Sequence, residues 1–320
     1  MRVLIAGTAR CGSTWVANVL GRSDDTRLVF EPDGPASDLL GAISASRLGP
    51  HVAINAGERS LPFQIMWDLA FVGGWPMARS ENVRAAGRRV VRMPRGVRDT
   101  LVLGLAFGTS RARRSPANVI VKSVNASFAL DWIAKRYQPR IVVMRRNLLN
   151  VVSSCVVLGL YMRAYFGDLP RVRQRYVEPL GLGRPGEGAS PVELVAWNVG
   201  LLTLALQRSA VRHPDWVVVS HDELCRDPVR QFEAVAGRLG LGWTPAMEDY
   251  IRQSDDPGFT VFGGSQRVHP NAGSSTTTGS RRLQQSTQYL RRLSPEDRRH
   301  AAAVLARFPL GDWGLDGFGD

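Results

Sequence analysis

The chain has 320 residues, 44% of them hydrophobic and 22% charged, and a formal net charge of +13. That length can bury the core of one large α/β domain or two small ones, and no run of eighteen apolar residues suggests a membrane span. Only Lys122 and Lys135 are lysines, so the positive charge is arginine dispersed singly or in pairs. A nucleic-acid-binding face would cluster its cations among exposed aromatics; here the charge reads as a field that favours small anionic ligands.

The first element is a short apolar run at 3–6, predicted to be a strand ending at Gly7. Trp15, Val16, Val19 and Leu20 then recur at helical spacing behind Ser13 and Thr14, which can cap. A second strand at 28–30 stops at Glu31-Pro32-Asp33-Gly34, a turn signature. Residues 36–115 carry helical patterns at 61–72 and 100–107 between Arg-rich connections, and read as an irregular insertion able to cover a substrate. Regular structure resumes with a strand at 119–121 ending in Lys122-Ser123, a helix holding Phe128, Leu130, Trp132 and Ile133, and a strand at 141–144 ending in Arg145-Arg146-Asn147. Helices from Leu148 and over 191–213, a strand at 216–220 and a helix at 228–239 follow. Residues 257–280 are rich in Gly, Ser, Thr and Asn and read as a mobile loop, because helical patterning returns at Leu283 and over 301–308.

Strands alternating with helices predict an α/β fold in three layers: a central parallel sheet flanked by helices, in one domain over 1–320. There is no signal-type leader, so the expectation is a cytoplasmic protein. Cys11, Cys155 and Cys225 have no paired spacing, which argues against a disulfide framework or a cysteine metal site.

Ligands of such sheets sit at the carboxyl ends of the strands. The polar residues that close the predicted strands all fall there. In residues 7–14, Gly-Thr-Ala-Arg-Cys-Gly-Ser-Thr, two glycines five apart precede a helix. Glycine permits left-handed backbone and close approach, so successive N–H groups can surround a phosphate at a helix N-terminus. The spacing nearly meets the P-loop pattern, but Ser13 stands where a nucleotide triphosphatase has Lys, and Arg10 is the nearest cation. Arg146 at a strand end and Ser154 two helical turns on could grip a second phosphate, since guanidinium forks suit its oxygens. Arg145 and Ser153 compete at the same spacing.

Arg10-Cys11-Gly12-Ser13-Thr14-Trp15 resembles the 5′-phosphosulfate loop of PAPS-dependent sulfotransferases, which have a P-loop NTPase-like fold. Arg146 and Ser154, with Asn147 and Asn150, resemble that family's 3′-phosphate element. His221-Asp222-Glu223-Leu224 with Asp227-Pro228 resembles a third element, His221 replacing the usual Tyr. The resemblance implies PAPS as co-substrate, no metal, and an acceptor that is a small molecule or carbohydrate. It implies nucleotide contacts from Arg10, Cys11, Gly12, Ser13, Thr14, Trp15, Arg146 and Ser154, with Ser275 and Arg281 of the late loop adding to the 3′-phosphate. Glu31, in a Glu-Pro element like that of the carbohydrate-type and bacterial branch, is the expected general base. Lys122 and Arg10 are the expected charge stabilisers. A P-loop kinase and a basic nucleic-acid-binding protein are the competing readings. Trp197 is expected in the core.

Overall fold

A computed structural model describes residues 1–34, 39–49, 51–73, 116–162, 165–256 and 285–315, with a few isolated positions between 90 and 104 and four residues near 265. Five parallel strands form the central sheet: β1 (Arg2–Ala6), β2 (Thr26–Phe30), β3 (Asn118–Ser123), β4 (Arg140–Arg145) and β5 (Val217–Ser220), in the order β2-β3-β1-β4-β5. The α/β reading and the parallel sheet are both present. β1 is central because it is apolar without interruption: Val3, Leu4 and Ile5 have no exposed surface. A strand covered on both faces must read that way.

The two faces are filled by alternate residues of the same strand. Val3 and Ile5 pack with α1 (Ser13–Leu20), α8 (Pro228–Arg238) and α9 (Pro245–Gln253). Leu4 and Ala6 pack instead against α3 (Leu61–Phe71) and α4 (Leu130–Tyr137). Behind them lies a third apolar cluster built by α5 (Leu148–Val157), α6 (Pro191–Arg212) and α11 (Pro295–Leu305). Each Leu, Ile or Phe buried this way contributes about 1.5–3 kcal/mol relative to exposure.

Helix α6 starts on a capping box. Ser190 Oγ accepts from Glu193 N at 3.3 Å, and Glu193 returns an acceptor to Ser190 N at 2.8 Å. By length and apolar content this helix could cross a membrane, yet its apolar stretch is largely buried within the domain. Trp197 on it is fully buried, as expected, with its indole N–H on Gly183 O at 3.2 Å.

Within the expected insertion, α3 forms where the pattern placed it, and α2 (Leu39–Leu48) forms where no helix was expected. Most of 100–107, and 257–280 apart from the antiparallel pair Phe262–Gly263 and Gln266–Arg267, lie outside the described residues.

The topology decides where chemistry can sit. β3 and β4 flank β1, and the chain between them crosses over it. The carboxyl ends of β3, β1 and β4 are therefore adjacent: Ala6 stands opposite Ser123 on one side and Val143 on the other. Phe30 stands opposite Lys122, which puts Glu31 at the same rim.

Candidate active site

The loop over 7–14 closes on contacts that only glycine allows. A Cβ on Gly7 would lie 2.5 Å from Cys11 Sγ and 2.9 Å from Met144 Cβ. Gly12 has φ 91°, and a Cβ there would lie 2.1 Å from His221 Cδ2. Gly12 is also the N-cap of α1 and supplies no side chain to it, so the first turn keeps free donors. Among the described residues, no protein acceptor meets the N–H groups of Gly12 and Thr14. Gly12 and Thr14 are half-exposed, while Ser13 is buried.

Two side chains of the loop turn away from its mouth. Cys11 turns its thiol inward, where burial pushes its pKa up, so the residue can offer a ligand only its backbone. Trp15 also faces the core: its indole N–H donates to Ser254 Oγ at 3.1 Å, and the ring packs edge-on to Phe232 and His221. Both side chains hold the loop rather than line it.

His221, at the start of α7 (His221–Arg226), lies under the loop, 3% exposed, against Gly12 and Cys225. Burial and the nearby Arg146 cation hold its pKa well below the usual imidazole range, so it packs as a neutral ring. Its neighbour Asp222 accepts from Asn147 N at 3.0 Å and ties β5 to the β4–α5 turn.

Arg10 has φ 68°, an uncommon backbone for a residue with a side chain. Arg146 fixes it there by donating from Nη1 to Arg10 O at 2.9 Å, while Nη2 donates to Gln285 O at 3.1 Å. Arg10 Nε in turn donates to Ser154 Oγ at 2.9 Å. The loop and the distant Arg146/Ser154 pair thus meet through one residue. Arg145 and Ser153 do not join them. Arg145 reaches Asp312 O at 2.9 Å, and the fully buried Ser153 donates to Asn150 O at 3.1 Å.

A further cation was not legible in the sequence. Arg292, at the end of α10 (Tyr289–Arg292), lies close enough to Arg10 that each charge disfavours the other's neighbourhood, and burial lowers the pKa of both. Helix α10 is moored to α5 through Asn150, whose Oδ1 accepts from Tyr289 N at 3.2 Å and whose amide donates to Ser286 O. Among the described residues, neither Arg10 nor Arg292 has a carboxylate in ion-pair contact. Among the described residues, the buried Nε of Arg146 has no hydrogen-bond partner. Converging cations of this kind are stabilised by an anion. Ser275 and Arg281 lie outside the described residues.

The other half of the site is acidic. Glu31 forms an ion pair with Lys122 and accepts from Val124 N at 2.9 Å and Asn125 Nδ2 at 3.3 Å. Lys122 also lies within electrostatic reach of Cys11, which joins this pair to the loop. Glu31 has φ 48° and opens the 31–34 turn, closed by Gly34 N on Glu31 O at 3.0 Å. Asp33 in that turn is buried and accepts a hydrogen bond from the Ser123 hydroxyl, whose Oγ lies 2.7 Å from each carboxylate oxygen. Burial first and the Glu31 charge second push its carboxyl up to about 7. The Glu-Pro-Asp-Gly string marks this turn in the sequence, but nothing there foretells the burial of Asp33.

Among the described residues, no group of three or more His, Cys, Asp or Glu side chains could hold a metal ion. Surface clefts of about 610 and 700 Å³ lie at the opposite, amino-terminal end of the sheet and contain none of these residues.

Residues 2–245 match the family model described as "Sulfotransferase family". Among solved structures, the chain is similar to the sulfotransferase domain from the curacin biosynthetic pathway at 13% identity and a TM-score of 0.45, over 94% of this chain and 96% of that one. It is similar to the sulfotransferase domain from the Synechococcus PCC 7002 olefin synthase at 13% identity and a TM-score of 0.40, over 95% and 94%. Similarity to a sulfotransferase from Mycobacterium avium is 12% with a TM-score of 0.41, over 97% of this chain and 77% of that one. No curated protein matches the chain.

Proposed function

The chain belongs to the sulfotransferase family, and from that premise we propose that it moves a sulfuryl group from PAPS to a hydroxyl of a carbohydrate or small natural product. The observation that carries the donor assignment is the convergence of Arg10, Arg292 and Ser154 beside the glycine loop, with no carboxylate in ion-pair contact with either guanidinium among the described residues. A donor with phosphate at two positions needs two anion sites, and the loop alone is one. The N–H groups of Gly12 and Thr14, which no protein acceptor meets among the described residues, suit the 5′-phosphosulfate at the positive end of α1. Arg10, Arg292 and Ser154 suit the 3′-phosphate, and Arg146 holds Arg10 in place from behind.

Transfer is an in-line displacement. The bond from sulfur to the bridging phosphate oxygen breaks, a bond from sulfur to the acceptor oxygen forms, and the acceptor proton must leave. Glu31 is the group proposed to take that proton. Its ion pair with Lys122 gives the pair two tasks: Lys122 stabilises charge on the transferring group and leaving oxygen, and the peptide N–H of Val124 and the amide of Asn125 fix the carboxylate's direction.

Calorimetric titration tests the donor assignment. PAP, the desulfonated donor, is expected to bind more tightly than ATP or adenosine 5′-phosphate, because only PAP carries the 3′-phosphate. ATP binding in preference to PAP would overturn it.

A further inference from the structure

Tyr161 is the one aromatic hydroxyl joined to the glycine loop among the described residues. Its oxygen accepts from Ala9 N at 3.3 Å. Its backbone has φ 64°, in the left-handed region that a bulky side chain adopts only under constraint. Among the described residues, five non-glycine positions have positive φ; three of them, Arg10, Glu31 and Tyr161, border this site. Strain of about 1–3 kcal/mol per residue persists only where surrounding structure imposes it.

The constraint on Tyr161 is visible. The fully buried Asn198 of α6 donates from Nδ2 to Tyr161 O at 3.1 Å, and its Oδ1 accepts from Phe166 N at 3.1 Å. The ring is held edge-on by Phe166 at 5.4 Å and by the buried His51 at 5.7 Å. The residue keeps part of its surface exposed, while the phenol oxygen lies buried beside the loop. The phenol oxygen accepts from Ala9 N–H, which leaves its own O–H to donate to another acceptor. The Glu31 charge is felt at the phenol.

We propose that Tyr161 is a further catalytic residue, donating its hydroxyl proton as a hydrogen bond to an oxygen of the sulfuryl group as that group passes from the loop-held phosphate to the acceptor at Glu31. The proposal rests on the sulfotransferase reading above. No proton is transferred: the phenol stays neutral, and burial as the main cause keeps its pKa well above the usual range. A preorganised donor aimed at developing charge acts on the transition state rather than on donor binding.

The test is Tyr161→Phe, which keeps the ring between His51 and Phe166 and removes only the hydroxyl. Two quantities are read on the full chain: PAP affinity, and the single-turnover rate of PAPS conversion to PAP with water or a test alcohol as acceptor. The expected result is a rate lower by roughly 10²-fold, the usual effect of removing one such donor, with PAP affinity changed no more than a few-fold. An unchanged rate overturns the proposal. A loss of PAP affinity equal to the loss of rate also overturns it, making Tyr161 a strut for Ala9. Should the variant not fold, 3-fluorotyrosine at position 161 keeps the shape and strengthens the donor. A faster turnover at unchanged PAP affinity then supports the proposal, and an unchanged rate overturns it. A wild-type protein without PAP affinity would remove the underlying sulfotransferase reading, and this proposal with it. A silent Tyr161→Phe removes only the proposal.

Discussion

The two halves of the site are built on different principles. The donor half is organised by backbone: a loop closed by Gly7 and Gly12 and backed by His221 and Trp15, with the side chains of Arg10, Arg292 and Ser154 beside it. The acceptor half is side chains drawn from separate stretches of chain: Glu31 and Asp33 from one turn, Lys122 and Asn125 from β3 and its exit, and His51 and Tyr161 from elsewhere. A backbone site fails when a single atom is added to it. A side-chain site loses function one group at a time, and its members can be told apart by which step each one slows.

The sharpest break in that comparison is Gly12→Ala. Positive φ and a Cβ placed 2.1 Å from His221 Cδ2 leave the loop no compliant conformation. The expected outcome is loss of measurable PAP binding, with thermal stability lowered by at least about 1–3 kcal/mol from the backbone alone. Adding His221→Ala removes the steric term and should recover part of the stability but not the φ penalty, a coupling that a double-mutant cycle reads directly. Independent, additive effects would show that the ring does not back the loop.

Glu31→Gln belongs to the other half and should separate the two. Removing a general base slows transfer by roughly 10²–10⁴-fold, while PAP affinity is expected to hold. Full activity in this variant would remove Glu31 from its role. Arg292→Ala returns to the donor half with a smaller effect. One charge-assisted hydrogen bond is worth about 1.5–3 kcal/mol, so PAP should bind roughly 10- to 100-fold more weakly. Adenosine 5′-phosphate, which lacks the 3′-phosphate, should be unaffected. Equal losses for both ligands would place Arg292 elsewhere.

The same contrast explains what could be read from the amino-acid string. Strand ends are legible because apolar runs stop abruptly, and this places Gly7, Glu31, Lys122 and Arg146 on one rim. The glycine loop is legible because backbone requirements leave a spacing. The sequence could not show which way Cys11 and Trp15 turn, since both orientations fit a helix start. Nor could spacing separate Arg146/Ser154 from Arg145/Ser153: that choice depends on which guanidinium reaches Arg10 O and which reaches Asp312 O. His51, Tyr161 and Arg292 leave no local mark. Tyr161 matters through a strained φ and a bond to Ala9, and Arg292 through a helix moored by Asn150.

Two buried groups of the acceptor half titrate in opposite senses, which gives the last and smallest prediction. Burial, aided by Glu31, raises Asp33 to about 7, so the folded chain binds its proton more tightly than the unfolded chain does. Between about pH 4 and 7 this term lowers stability as pH rises. Burial pushes His51 down to about 4, so there the unfolded chain binds the proton more tightly. Between about pH 4 and the ordinary imidazole value near 6.5, this term raises stability as pH rises. Each slope approaches roughly 1.4 kcal/mol per pH unit, and in the wild type they offset each other over the shared window. Asp33→Asn should therefore tilt the stability curve upward with pH relative to wild type, and His51→Phe should tilt it downward. Urea unfolding at a series of pH values between 4 and 7 measures both. Parallel curves for the three proteins would mean that neither group is held away from its ordinary pKa, and that the acceptor half is wetter than its burial implies.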